Sequence, residues 1–287
     1  MNGKILGGKK LRQRVLQAVE KLPSMPQVMH KAREILDSPH SSMADLANLI
    51  ETDPALAMRV LRLSNSAYYS RLARVSSVQE AAVVLGLKTL GELLTVACSS
   101  KLLDRSLKGY DLQPKVLWRH SLSVAVGARI IANKKQPGLA SEAFSAGLIH
   151  DAGKIILDEY VLERKEEFSE FLADGEETFL DAEQEILGFD HAEIAARVCE
   201  KWSFPKSISV AIKYHHYPSR LRGNNLAFIV YVADQLAMWS GMDTDGITID
   251  IEDKAFERLD VRVNEIEPII DEIVTSVDQI TEEMENQ

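Results

Sequence analysis

Ser42-Met43-Ala44-Asp45-Leu46-Ala47-Asn48-Leu49-Ile50-Glu51-Thr52-Asp53-Pro54-Ala55-Leu56 contains two helix starts in close succession. Ser42 can accept a hydrogen bond from a free N–H of the first turn. Asp45, three positions on, can reach back, which is the logic of a capping box. Asp53 begins the second helix: its carboxylate accepts free N–H groups, and Pro54 fits a first turn where no N–H is required. Ser77 with Glu80 repeats the capping pattern before Ala81-Ala82-Val83-Val84-Leu85, and Gly86 closes that run as a helix C-terminus.

The same punctuation continues in both directions. Leu22-Pro23-Ser24-Met25-Pro26 ends a first helix in an extended turn. Apolar spacing predicts helices over about 27–36, 88–103, 115–132, 143–160, 160–173 with a bend, 178–187, 191–202, 205–214 and 225–239. Loop residues fall between them, at 134–138, 174–175, 218–225 and 241–246. The acidic stretch 265–287 alternates Ile and Val with Asp and Glu at helical spacing, as a docked helix with a frayed end would. No stretch alternates with a period of two. The expectation is an all-α chain with a helical N-terminal lobe over 1–108 and a second helical lobe over 109–287, parted in the polar stretch 106–114.

Bulk properties narrow the function classes. The net charge of -10 argues against a sequence-independent hold on nucleic acid, which needs clustered Lys and Arg. Two cysteines, Cys98 and Cys199, form no metal or redox spacing; with no secretory segment recognised, a cytoplasmic location is expected. Lys, Glu or Arg interrupts the longest apolar stretches, so no membrane span is expected. Residues 42–66 could pass for a helix-turn-helix offering Arg59 and Arg62. The rest of that segment is apolar, and such helix pairs are common packing units, so it reads as packing.

Chemistry concentrates in the second half. Of seven histidines, only His30 and His40 precede His120. After it come His150-Asp151, His191, His215-His216 and Asp234. Imidazole nitrogen and carboxylate oxygen are ligands for Fe, Mn, Zn or Ni, so one or two such ions are the candidate cofactors. In Leu148-Ile149-His150-Asp151-Ala152-Gly153-Lys154 the adjacent His and Asp can reach one ion, and Asp151 can bridge two. Lys154 shares their helical face and could steady a phosphate. Each residue alone has a plainer reading: His120 as a core histidine, His191 as a helix-start residue between Asp190 and a returning Glu193, His215-His216 at the favourable negative end of a helix. Asp234, amid Val230-Tyr231-Val232-Ala233, needs a partner because an unpaired buried carboxylate is costly.

Taken in order, His120, His150-Asp151 and Asp234 resemble the HD superfamily of metal-dependent phosphohydrolases. His191 and His215-His216 look like the extra ligands of its HD-GYP branch, which cleaves cyclic dinucleotides. The chain departs from that branch after His216, where Tyr217-Pro218-Ser219-Arg220 replaces the expected Gly-Tyr-Pro segment, so that substrate recognition does not carry over. The motifs Leu22–Pro26, Leu46–Leu56, Val60-Leu61-Arg62-Leu63-Ser64-Asn65-Ser66, Trp118-Arg119-His120-Ser121, Gly147–Asp151 and Trp202-Ser203-Phe204-Pro205 resemble the HDOD domain, the "HD-related output domain" of bacterial signalling proteins. That resemblance spans roughly residues 14 to 240. It implies an all-helical, HD-like second lobe and a regulatory output role through a signalling protein partner, with self-association open. No nucleic acid and no membrane are expected as partners. The alternative it implies is a metal-dependent phosphohydrolase or phosphodiesterase acting on a nucleotide or cyclic dinucleotide, in which Lys154 would be catalytic.

Overall fold

The computed structural model describes residues 2–22, 27–69, 74–175, 177–221, 223–241 and 253–285. Among them every regular element is helical, and one isolated antiparallel bridge joins Leu107 to Leu112. The chain begins with α1 (Asn2–Lys21), α2 (Gln27–Asp37), α3 (Met43–Glu51), α4 (Pro54–Ser64) and α5 (Val78–Leu103). Then follow α6 (Val116–Lys135), α7 (Ala140–Ile149), α8 (Lys154–Glu163), α9 (Lys165–Phe171) and α10 (Phe179–Ala182). The chain continues with α11 (His191–Lys201), α12 (Lys206–Lys213), α13 (Asn225–Trp239), α14 (Asp253–Arg258) and α15 (Val263–Glu285). Pro23–Pro26 and most of the loop expected at 241–246 lie outside the described residues.

The caps explain where helices begin. Ser42 and Asp45 bond reciprocally, and the Asp53 carboxylate accepts from the N–H groups of Ala55 and Leu56. Two expected capping boxes close differently. Glu80 reaches back to Ser76 rather than Ser77, and Glu193 pairs with Arg197 while the Asp190 side chain caps alone. Gly86 breaks α5 with φ 82° and ψ 166°, a backbone that a side chain would strain. By length and composition α5 could cross a membrane. Beyond Gly86, however, its straight part is only about 24 Å long at 1.5 Å per residue, short of a bilayer core of about 30 Å.

α6 is the central helix, buried on nearly all sides from Leu117 to Ala132, as a helix apolar all round must be. α7, α13 and α15 pack around it, and α15 lays Ile269, Ile273, Val277 and Ile280 onto the core. The buried apolar side chains form one continuous cluster running from Leu11 to Ile280. Arg129 of α6 pairs with Glu92 of α5 at 2.5 Å and lies over the rings of Tyr68 and Phe144, a buried charge that is both paired and stacked. Arg33 of α2 covers the Phe204 ring and donates to the Ser203 carbonyl, tying the first helices to the turn before α12.

Candidate metal centre

The continuous helix expected over 143–160 is two helices. The chain turns through His150-Asp151-Ala152-Gly153 between α7 and α8. Packing requires both glycines of this segment. A Cβ on Gly147 would lie 2.8 Å from the Ala125 backbone, and one on Gly153 would lie 1.9 Å from the His191 carbonyl oxygen. Without side chains these positions let α7 press on α6 and the turn press on α11. That contact brings His120, His150-Asp151 and His191 together. His215 and His216 follow α12 directly, and Asp234 projects from the middle of the buried α13.

Asp151 is the hub. Its Oδ1 lies 3.4 Å from His150 Nε2, 3.3 Å from His191 Nε2 and 4.0 Å from His215 Nε2. Its Oδ2 accepts from Lys154 Nζ at 2.8 Å and lies 3.7 Å from His120 Nε2. Asp234 Oδ1 stands 3.1 Å from His120 Nε2 and 3.7 Å from His150 Nε2. His216 Nε2 and His191 Nε2 are 2.7 Å apart. All seven residues of the series are thus in one place, each at most 7% exposed, and Lys154 is fully buried beside them. Three triads have ligand atoms mutually within 4.8 Å: His120 with His150 and Asp151, His191 with His215 and His216, and His150 with His215 and Asp234. His215 therefore belongs to both halves of the cluster.

The outer partners orient the rings. The Gly147 carbonyl accepts from His150 Nδ1 at 2.8 Å, the Ile212 carbonyl from His215 Nδ1 at 2.7 Å, and the Glu183 carboxylate from His191 Nδ1 at 2.8 Å. Each acceptor fixes the proton on Nδ1 and turns Nε2 toward Asp151, the arrangement that outer hydrogen bonds give to metal-binding histidines. Glu183 also accepts from the His191 N–H and from Tyr110 Oη at 2.5 Å. Neither Glu183 nor Tyr110 stands out in the sequence search for ligands. The available signal for Glu183 is its place on an apolar face, between Leu180 and Leu187, in a π-helical turn spanning Glu183–Leu187.

Electrostatics divide the groups by neighbour. Burial pushes the His215 imidazole down to about 4 and lowers His150 and His216 as well. Burial also opposes charge on His120 and His191, but Asp234 and Glu183 respectively outweigh it and raise both. Burial would raise Asp151 and Asp234, yet the surrounding histidines and Lys154 hold Asp151 well below the usual carboxylate range, and His120 holds Asp234 below it.

Two atoms in the middle are left over: Asp151 Oδ1 and His215 Nε2 are buried without a hydrogen-bond partner. Buried polar atoms rarely go unpaired. A carboxylate oxygen and an imidazole nitrogen facing one space fit a metal ion, so these buried His and Asp groups could hold one.

The profile of the HDOD domain matches residues 22–218. The chain belongs to the HDOD family. A crystal structure of an HDOD domain protein of unknown function from Geobacter sulfurreducens is 23% identical over 98% of both chains, with a TM-score of 0.79. A Shewanella amazonensis protein named provisionally as a phosphohydrolase is 24% identical, covering 94% of this chain and 97% of its own, with a TM-score of 0.72. A Marinobacter aquaeolei protein named provisionally as a signal transduction protein is 23% identical, covering 96% and 65%, with a TM-score of 0.74. At these identities the likeness shows the HDOD fold. An uncharacterized protein of Treponema pallidum is 25% identical over 210 residues; the chain spans 40% of its length.

Proposed function

We propose that this HDOD protein is a regulatory output component of bacterial signalling that works in the cytoplasm through protein–protein contact. The first lobe, residues 1–108, carries the partner surface, and the His/Asp centre in the second lobe, residues 109–287, holds a metal that organises the fold rather than turning over a substrate. The observation that carries this reading is closure. Every ligand-type side chain is at most 7% exposed, and Lys154, the cation that would steady a phosphate, is buried and bonded to Asp151. Hydrolysis needs an open coordination position and a path for substrate. The signal-transduction name of the Marinobacter relative points the same way.

Fe, Mn, Zn or Ni suits the nitrogen and oxygen donors better than Ca or Mg. His120, His150, Asp151 and Asp234 would hold one ion, and His191, His215 and His216 a second, with Asp151 between them. The ion supplies positive charge to two buried carboxylates. The second reading is a metal-dependent phosphohydrolase acting on a nucleotide or cyclic dinucleotide. The complete ligand series with Lys154 beside Asp151 favours it, as does the provisional name of the Shewanella relative.

Metal analysis of protein purified without chelator, followed by a phosphodiester screen after Mn or Fe loading, separates the two. Bound metal without turnover supports the output role. Turnover lost in Asp151→Ala makes the protein an enzyme and overturns it.

A further inference from the structure

A cavity of about 510 Å³ lies apart from the His/Asp centre, where α4, the end of α5, the start of α6 and the end of α15 meet. None of its lining residues belongs to the ligand series. Its size falls within the range of small-molecule sites, about 300–1,000 Å³. Arg59 and Arg62 reach it from α4, Lys101 from α5, and Lys115 from the residue before α6. The opposing acids are Asp104 and Glu283. Four cations facing two carboxylates is an inversion of charge in a chain of net charge -10.

Three of these four cations, Arg59, Arg62 and Lys101, have no carboxylate partner among the described residues. Arg59 Nε is buried with no hydrogen-bond partner. α6 also starts here without a side-chain cap, so its first N–H groups add positive character.

We propose that this cavity binds an organic phosphate of nucleotide size. The phosphate meets Arg59, Arg62 and Lys101, where guanidinium forks match phosphate oxygens. Asp104 and Glu283 accept from hydroxyl or amino groups of the ligand, and Trp118 and Met284 supply apolar wall. The two carboxylates would repel a bare inorganic anion but suit a ligand that also donates.

Titration calorimetry on the full chain with AMP, ADP and inorganic phosphate tests this. AMP or ADP is expected to bind, with inorganic phosphate weaker by about tenfold or more. Arg59→Met with Arg62→Met is expected to weaken the nucleotide by at least about tenfold, and stripping the full chain with a metal chelator to leave it unchanged. If the double variant does not fold, exposed Lys101→Met replaces it and is expected to weaken binding severalfold. The proposal is overturned if neither nucleotide binds at millimolar concentration, if phosphate binds as tightly as the nucleotides, or if the arginine and lysine variants bind like the parent. Loss of binding after chelator treatment also overturns it, because that places the ligand in the His/Asp centre.

Discussion

Asp151 touches more of the cluster than any other residue, so its removal is the sharpest single test of the centre. Asp151→Ala should abolish metal retention, read by elemental analysis, while leaving the circular dichroism helical. It also leaves Lys154 as a buried cation without that partner, at a cost of about 3–5 kcal/mol, so urea denaturation should show a loss of that order. Glu183→Gln is milder. It keeps an acceptor for His191 Nδ1 but removes the charge, and metal affinity should fall about 10–100-fold in competition with a chromogenic chelator. The pH dependence follows from the same neighbours. Asp234 and Glu183 raise His120 and His191, so each tends to carry a proton that must leave when Nε2 takes a metal. Binding therefore releases protons, and affinity falls as pH falls. Calorimetry in two buffers of different ionisation enthalpy should give different apparent heats; equal heats would contradict the assignment of those protons.

At the scale of elements, the turn between α7 and α8 decides whether a centre exists, and Gly153 decides the turn. Gly153→Ala would set a methyl 1.9 Å from a backbone oxygen, which cannot rotate away, so the turn or α11 must shift. Denaturant unfolding should show a loss of about 1–3 kcal/mol, with weaker metal binding. Gly138→Ala, where nothing stands within 4 Å, should be near neutral and serves as the control. This turn is also where sequence reading stops. The caps at Ser42 and Asp53 are legible because a cap is a local bargain among neighbouring residues. His150-Asp151-Ala152-Gly153 has no proline and keeps helical apolar spacing on both sides, so it reads as one helix over 143–160. The approach of α11, some forty residues away in sequence, imposes the break. Glu183 is only half legible for a related reason: Leu180 and Leu187 share its helical face, but nothing local says that His191 and Tyr110 come to meet its carboxylate. The order of the ligand series is readable through the family resemblance. That Asp151 is the hub and His215 serves both halves is not, because separations of 18 to 40 residues between successive ligand positions, the two adjacent pairs apart, carry no distances.

Over the whole molecule, charge and connectivity set the expectations. A net charge of -10 predicts no useful affinity for duplex DNA at physiological salt, and tight, salt-sensitive binding in a gel-shift assay would contradict it. Connectivity concerns the metal. Its candidate ligands come from α6, the α7–α8 turn, α11, the residues after α12, and α13, spread over residues 120–234. In the unfolded chain these groups are far apart and cannot cooperate, so an ion binds the folded state almost exclusively. Such a ligand stabilises by RT ln(1 + [L]/Kd), about 2.7 kcal/mol when free metal is 100 times Kd. For a chain somewhat above 250 residues this is worth about 5 °C in Tm. Protein stripped with chelator and reloaded with Mn, Fe, Zn or Ni should regain that shift with at least one of these ions, while Ca and Mg should give little. Asp151→Ala and His215→Ala should not respond to the same additions, since each removes an atom of the centre that is buried without a hydrogen-bond partner. A shift of equal size in both variants would place the ion elsewhere. No shift with any of the four ions would mean that the cluster is held by its own hydrogen bonds alone, and the output role would then rest on the fold without a metal.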